Sequence, residues 1–119
     1  MITPDELEIL RKPEVQEYIR EKMGELVKDP HYHYFCTENG QTVSYLLPDC
    51  ISRDSERPER GLWGMVNPSK IERQVGFYGT VFFSVWVFWP EMGGFKRIDG
   101  DTPRLALLKA LEWQIGRTP

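Results

Sequence analysis

The fold is decided by the stretch TVFFSVWVFW, residues 80–89, which has the period of a β-strand. Successive side chains of a strand point to opposite faces, and in this stretch both faces are almost wholly apolar. One face holds Val81, Phe83, Val85, Val87 and Trp89, and the other holds Phe82, Ser84, Trp86 and Phe88. Such a strand is either central and covered on both sides, or covered on one side and open to a partner on the other.

The segment after this strand predicts a short strand and a closing helix. Pro90 to Gly94 reverses the chain, and a strand follows at Phe95 to Ile98. Thr102 and Pro103 form a helix start in which a capping residue precedes a proline. Leucines recur along one face of the helix that follows, at Leu105, Leu108 and Leu111. We expect this helix to lie on the sheet and to end at Gly116.

The residues before the aromatic strand predict two helices and a hairpin. Thr3 caps a helix that begins at Pro4, and a second, amphipathic helix runs from Pro13 towards Lys28. Two alternating segments flank Asn39-Gly40. Because Asn-Gly suits a type I′ turn, these segments predict a β-hairpin over residues 32–47.

The middle of the chain predicts a loop and two further strands. Residues 48–61 are rich in charge and indicate an exposed loop within the domain. Short strands are expected at Leu62 to Val66 and at Ile71 to Tyr78. Short connections favour sequential antiparallel neighbours. The sequence therefore predicts a single α+β domain over residues 1–119, with an antiparallel sheet of four to five strands packed with N-terminal and C-terminal helices.

The composition disfavours nucleic-acid and membrane partners. A net charge of −3 and a pI near 5.4 give no field that attracts phosphates or anionic lipid. Residues 81–90, the longest apolar stretch, are too few to span a bilayer, and the N-terminal residues lack the pattern of a secretory signal. Only two cysteines occur, Cys36 and Cys50, which fits reduced thiols. The alternative of a single disulfide between them stays open. We expect a soluble, cytoplasmic protein without membrane contact.

Residues capable of catalysis or metal binding do not converge in the sequence pattern. On a regular strand His31 and His33 face opposite to Cys36, so a zinc site or a histidine-activated thiol would need a bulge. The acidic residues lie in solvated stretches or, like Asp101, near a helix start whose dipole favours them. We expect no catalytic residue, no metal and no cofactor. Enzymatic activity stays open, and a non-catalytic protein is favoured.

A resemblance to a known family is carried by three segments of the chain. They are the aromatic strand, the turn PEMGG at residues 90–94 and the helix start DTPRLALLKAL at residues 101–111. Together they resemble small phage and prophage proteins with an α-β-α sandwich domain. In those proteins a similar Thr-Pro helix packs on the sheet, which implies the same arrangement here. The function of that family is generally unassigned, so the resemblance implies no catalytic residue.

These observations favour a non-catalytic phage- or prophage-type accessory domain that binds another protein, such as a host or virion component. Large rigid rings dominate contact energies, so the candidate interface anchors are Trp63, Trp86 and Trp89. A homo-oligomer formed through a sheet edge or through an aromatic face fits the sequence equally well.

Two other functions stay open. A small-molecule binder or a small enzyme would use a pocket lined by polar aromatic and histidine side chains, namely Tyr32, His33, Tyr34 and Tyr45. A single-stranded nucleic-acid binder would stack bases on the aromatic strand beside Lys96 and Arg97. The apolar stripes of the helices oppose this last function, since they are suited to cover the sheet.

Overall fold

A computed structural model describes residues 3–23, 33–38, 41–46 and 62–117 of the chain, with the backbone alone for residues 22–23, 33–38 and 41–46. The elements follow the order helix, helix, hairpin, helix, three strands, helix. The described part is α+β, with an antiparallel sheet and helices towards both ends of the chain, as the sequence predicts. None of the described helices is long and apolar enough to cross a membrane.

The two N-terminal helices are α1 (Pro4–Leu10) and α2 (Pro13–Met23). The side chain of Thr3 accepts a hydrogen bond from the backbone N–H of Glu6 at 3.3 Å, which confirms the predicted cap. Gln16 is buried, and its Nε2 donates to the carbonyl oxygen of Leu10 at 2.8 Å. This bond satisfies a carbonyl that the end of α1 would otherwise leave unpaired.

The strands fall into two sheets. Strands β1 (His33–Glu38) and β2 (Gln41–Leu46) pair as an antiparallel hairpin. Strands β3 (Lys70–Val75), β4 (Val81–Trp89) and β5 (Gly94–Gly100) form a separate antiparallel sheet with β4 in the centre. The prediction of one sheet with four to five strands is therefore not confirmed within the described residues. The Asn39-Gly40 turn and the predicted loop at residues 48–61 lie outside them.

The segment predicted as a strand at Leu62 to Val66 is a short helix, α3 (Leu62–Val66). Its buried residues are Leu62, Met65 and Val66. This spacing of three and four residues places all three side chains on one helical face, whereas strand alternation would separate Met65 from Val66. Asn67 follows with a positive φ of 49° and donates its N–H to the carbonyl of Trp63 at 2.6 Å, which ends the helix.

The last helix, α4 (Pro103–Arg117), covers one face of the three-stranded sheet. Thr102 Oγ1 accepts the backbone N–H of Leu105 at 3.0 Å, which confirms the predicted start, but the helix continues past Gly116 to Arg117. Gly100 lies so close to α4 that a Cβ there would approach Ala106 N to 2.5 Å. The core between α4, α3, the N-terminal helices and the sheet comprises Ile9, Leu10, Val15, Ile19, Leu62, Met65, Val66, Val85, Val87, Leu105, Ala106, Leu107, Leu108, Ala110 and Leu111.

A buried carboxylate joins α1 to the beginning of α4. Glu6 is fully buried, pairs with Arg104 and accepts a hydrogen bond from Thr102 Oγ1 at 3.2 Å. A buried charge is tolerated only when it is paired and hydrogen-bonded, and both conditions hold here. We assign this group a structural role, because it joins α1 to the first turn of α4.

Candidate functional site: the open face of the sheet

The register of the sheet gathers polar and aromatic residues on the face that points away from α4. Along β4, the core residues Val85 and Val87 point to the covered face, and the residues that alternate with them point to the other face. Their neighbours across the strands follow from the pairing. We call this surface the open face; it comprises Lys70, Glu72 and Gln74 of β3, Phe82, Ser84, Trp86 and Phe88 of β4, and Phe95, Arg97 and Asp99 of β5.

Two phenyl rings are the most exposed aromatic residues of the open face. Phe88 and Phe95 are paired across β4 and β5, and they are 55% and 58% exposed. Their ring centroids lie 5.6 Å apart in an edge-to-face arrangement. Phe82 and Trp86 continue the aromatic surface along β4 and are half-buried. Two exposed rings in contact with each other mark an interaction surface more often than an isolated exposed ring does.

A serine, an arginine and an aspartate form a hydrogen-bonded group in the middle of the open face. Ser84 Oγ donates to Asp99 Oδ1 at 2.6 Å, and Arg97 Nε donates to the same carboxylate oxygen at 3.0 Å and to Ser84 Oγ at 3.1 Å. Partial burial acts to raise the pKa of Asp99, but the hydrogen bonds from Ser84 and Arg97, with the guanidinium charge, lower it overall. Ser84 is fully buried and its hydroxyl donates to Asp99, so the group links β4 to β5 at this point of the face.

The cations of the open face lie over its rings. Lys70 Nζ is 4.5 Å from the centroid of the Trp86 ring, and Arg97 Cζ is 5.6 Å from the same ring and 5.9 Å from that of Phe82. Each cation also has a carboxylate: Lys70 pairs with Glu72 at 3.3 Å, and Arg97 pairs with Asp99. Two cations and two carboxylates leave the open face with no net charge, which removes the field that would draw phosphates to it.

The three predicted interface tryptophans lie in three different places. Trp86 is on the open face, half-buried beneath the two cations. Trp89 is on the covered face, where its ring meets that of Trp113 edge to face with centroids 5.4 Å apart. Trp63 is half-buried in α3, which packs against α4. The structure does not bring these residues into one site.

Three of the four predicted pocket residues lie on the hairpin, where the backbone alone is described. Tyr34 and Tyr45 are direct partners in the register, His33 pairs with Leu46, and Tyr32 lies outside the described residues. The pocket therefore stays a prediction. Cys36 pairs with Val43 in the same register, while His31 and Cys50 are among the residues that are not described. Elsewhere in the described ranges, no three His, Cys, Asp or Glu side chains converge as a metal site.

Sequence reasoning missed a second aromatic pair at the connection between β3 and β4. Phe77 and Tyr78, predicted as part of a strand, are 98% and 93% exposed, with ring centroids 5.6 Å apart. The sequence did carry a signal for this turn, because glycines flank the pair. Gly79 has a φ of +78°, a conformation that glycine adopts without strain.

Comparison of the chain with protein-family models, with curated proteins and with solved structures gives no match.

Proposed function

We propose that this chain is a non-catalytic domain that binds another protein through the open face of its sheet. The observation that carries the proposal is the exposed pair Phe88 and Phe95, which lies on the side of the sheet away from α4. Following the resemblance, the proposal includes a phage- or prophage-type accessory role in the cytoplasm, with a host or virion component as the partner.

The aromatic pair has the properties of an interface anchor. Rigid rings lose little conformational entropy when they are buried, and they contribute large contact areas. Phe88 and Phe95 stand on adjacent strands of a paired sheet, so their backbones are already ordered before a partner arrives. A partner with an apolar surface patch would gain hydrophobic energy without ordering a loop.

The charges of the open face also favour a protein partner. Arg97 and Lys70 are both paired within the face, so a partner needs no matching array of opposite charge. These pairs would form a polar rim beside the rings, and rim charges affect specificity more than affinity. Pairing of this kind opposes a nucleic-acid partner, whose affinity depends on uncompensated cations.

Affinity capture tests the proposal, with the wild-type chain and two variants immobilised against a bacterial lysate. In Phe88→Ser/Phe95→Ser the exposed pair becomes polar. In the control, Met92→Ser, an apolar side chain outside the open face, 67% exposed, is changed in the same way. We expect a protein retained by the wild type and the control but reduced at least about tenfold for the double variant. Hydrogen exchange on that complex should show protection along β4 and β5.

Equal retention by all three proteins, or protection confined to other elements, would contradict the proposal. Single-stranded nucleic acid is the second candidate, because rings and cations share the same face. It predicts binding of a labelled oligonucleotide that weakens steeply with salt and is lost in Lys70→Gln/Arg97→Gln. That result, with no captured protein, would replace the proposed function.

A further inference from the structure

We propose that this chain associates with itself head to tail, with the aromatic tip of one copy seated in a groove of the next. The tip is the β3–β4 connection with Phe77 and Tyr78 at its end. The groove lies at the far end of the sheet, has a volume of about 520 Å³ and is lined by Trp89, Lys109, Glu112, Trp113, Gly116 and Arg117. The inference goes beyond the proposed function, since neither element belongs to the open face.

The tip is an apolar projection, and we also call it the knob. Its backbone is closed by hydrogen bonds from Gly76 N to Thr80 O at 2.6 Å and from Gly79 N to Gly76 O at 3.0 Å. Two almost fully exposed rings project from it, and residues 74–82 carry no formal charge. Exposure of two adjacent rings on an ordered turn is unfavourable in water, so their burial by a partner is favourable.

The groove offers an aromatic floor to an uncharged knob. Trp89 and Trp113 meet edge to face, and Arg117 Cζ lies 4.8 Å from the Trp113 ring centroid. The groove is open to solvent, and its volume falls within the range of sites that bury small ligands. Aromatic side chains of the knob would find ring faces and edges in the geometry that such pairs prefer.

Electrostatics favour an uncharged occupant. Glu112 pairs with Lys12, and Arg117 Nη1 pairs with Glu91 at 2.7 Å. An uncharged knob leaves these two pairs intact, and the remaining charged residue of the lining, Lys109, is exposed and keeps its contact with water. The tip of the chain itself satisfies this requirement.

The positions of knob and groove make the contact intermolecular. The tip adjoins Val81 at the start of β4, and the groove adjoins Trp89 at its end, so about 26 Å of strand separates them at ~3.3 Å per residue. A tip cannot reach the groove of its own copy across that distance. A contact between two different surfaces is heterologous, so a copy that binds one neighbour through its tip keeps its groove free for another, and the reverse.

Two complementary variants test this arrangement. Phe77→Ser/Tyr78→Ser removes the knob and keeps the groove. Gly116→Gln blocks the groove and keeps the knob; a Cβ at Gly116 has no heavy atom within 4 Å, and glutamine favours the helix more than glycine does. Gly116→Ala is the matched control, because it adds the Cβ without filling the groove.

Sedimentation velocity over a range of concentrations gives the readout. We expect the wild type and Gly116→Ala to form species that grow with concentration, and each blocking variant alone to associate at least about tenfold more weakly. An equimolar mixture of the two blocking variants should restore a 1:1 heterodimer and nothing larger, because one intact knob and one intact groove remain. Phe88→Ser/Phe95→Ser should associate like the wild type, which separates this inference from the proposed function.

Several outcomes would overturn the inference. A wild type that stays monomeric at every concentration would do so, as would a mixture that forms no heterodimer. Association that survives loss of the knob, or that is lost with Phe88 and Phe95, would place the contact elsewhere. Binding of the monomeric wild type to phosphatidylcholine–phosphatidylglycerol vesicles, abolished by Phe77→Ser/Tyr78→Ser, would identify the knob as a lipid contact instead.

Discussion

The two faces of the three-stranded sheet share the strand β4 but lie in opposite environments. Val85 on the covered face is 0% exposed, while Phe88 on the open face is 55% exposed. Along β4 alone the two sets of side chains are similarly apolar. The neighbouring strands differ between the faces: they place Ile71 and Ile98 beside Val85 on the covered face, where the charged residues are Arg73 and Lys96, but four charged residues beside Ser84 and Trp86 on the open face. The flanking strands thus make the face that α4 covers the less charged of the two.

The largest expected effect is the difference in stability between truncations on the two sides of β4. Leu111 of α4 is fully buried against the core, so Leu111→Ala should lower the free energy of unfolding by about 2–5 kcal/mol. Phe88→Ala should lower it by less than about 1 kcal/mol, because an exposed ring leaves no cavity. Urea denaturation measures both variants. Similar losses would contradict the distinction between the faces.

A second comparison concerns how closely α4 contacts the covered face. Gly100→Ala places a methyl group 2.5 Å from Ala106 N, and we expect a loss of about 1–3 kcal/mol because backbone must move. Gly94→Ala is the matched control in the same strand, since its added Cβ meets nothing within 4 Å. The control should change stability by less than about 0.5 kcal/mol. Thermal and urea unfolding of both variants would show whether contact with α4 is as close as this.

The smallest effect should come from the polar group of the open face. The pKa of Asp99 is lower in the folded chain than the ordinary value of 3.8, so its ionised form stabilises the fold above that value. This stability is lost as the pH falls through the lowered pKa. Asp99→Asn should therefore cost less than about 1 kcal/mol at about pH 7, because the group is half-exposed and screened, and still less at about pH 2. If the loss of stability caused by Asp99→Asn grew towards acid pH, it would contradict the lowered pKa of Asp99.

Much of the architecture could be predicted from local patterns in the sequence. The cap-proline starts at Thr3 and Thr102 are confirmed by side-chain hydrogen bonds, and the alternation of residues 80–89 is confirmed as β4. These signals are local, so they need no knowledge of distant contacts. The division of the strands into two sheets depends on tertiary packing and could not be derived from strand periods alone.

The candidate site was harder to predict. The aromatic strand was recognised, but its partner ring Phe95 and the pairing of Arg97 with Ser84 and Asp99 depend on the register of β5. The prediction of a strand at Leu62–Val66 was wrong, because a run of five mostly apolar residues fits both the strand period and the helix period. The exposed tip was missed because Phe77 and Tyr78 have high strand propensity, although the glycines beside them indicated a turn.

The most direct test of the central claim compares thiol reactivity at two adjacent positions of β4. Val87→Cys and Phe88→Cys are made in a chain with Cys36→Ser and Cys50→Ser, and labelling by a soluble thiol reagent is followed under native conditions. The thiol at residue 88 should react nearly as fast as in the unfolded chain, while that at residue 87 should react at least about a hundredfold more slowly. Equal rates at the two positions would contradict the claim that β4 has one covered face and one open face.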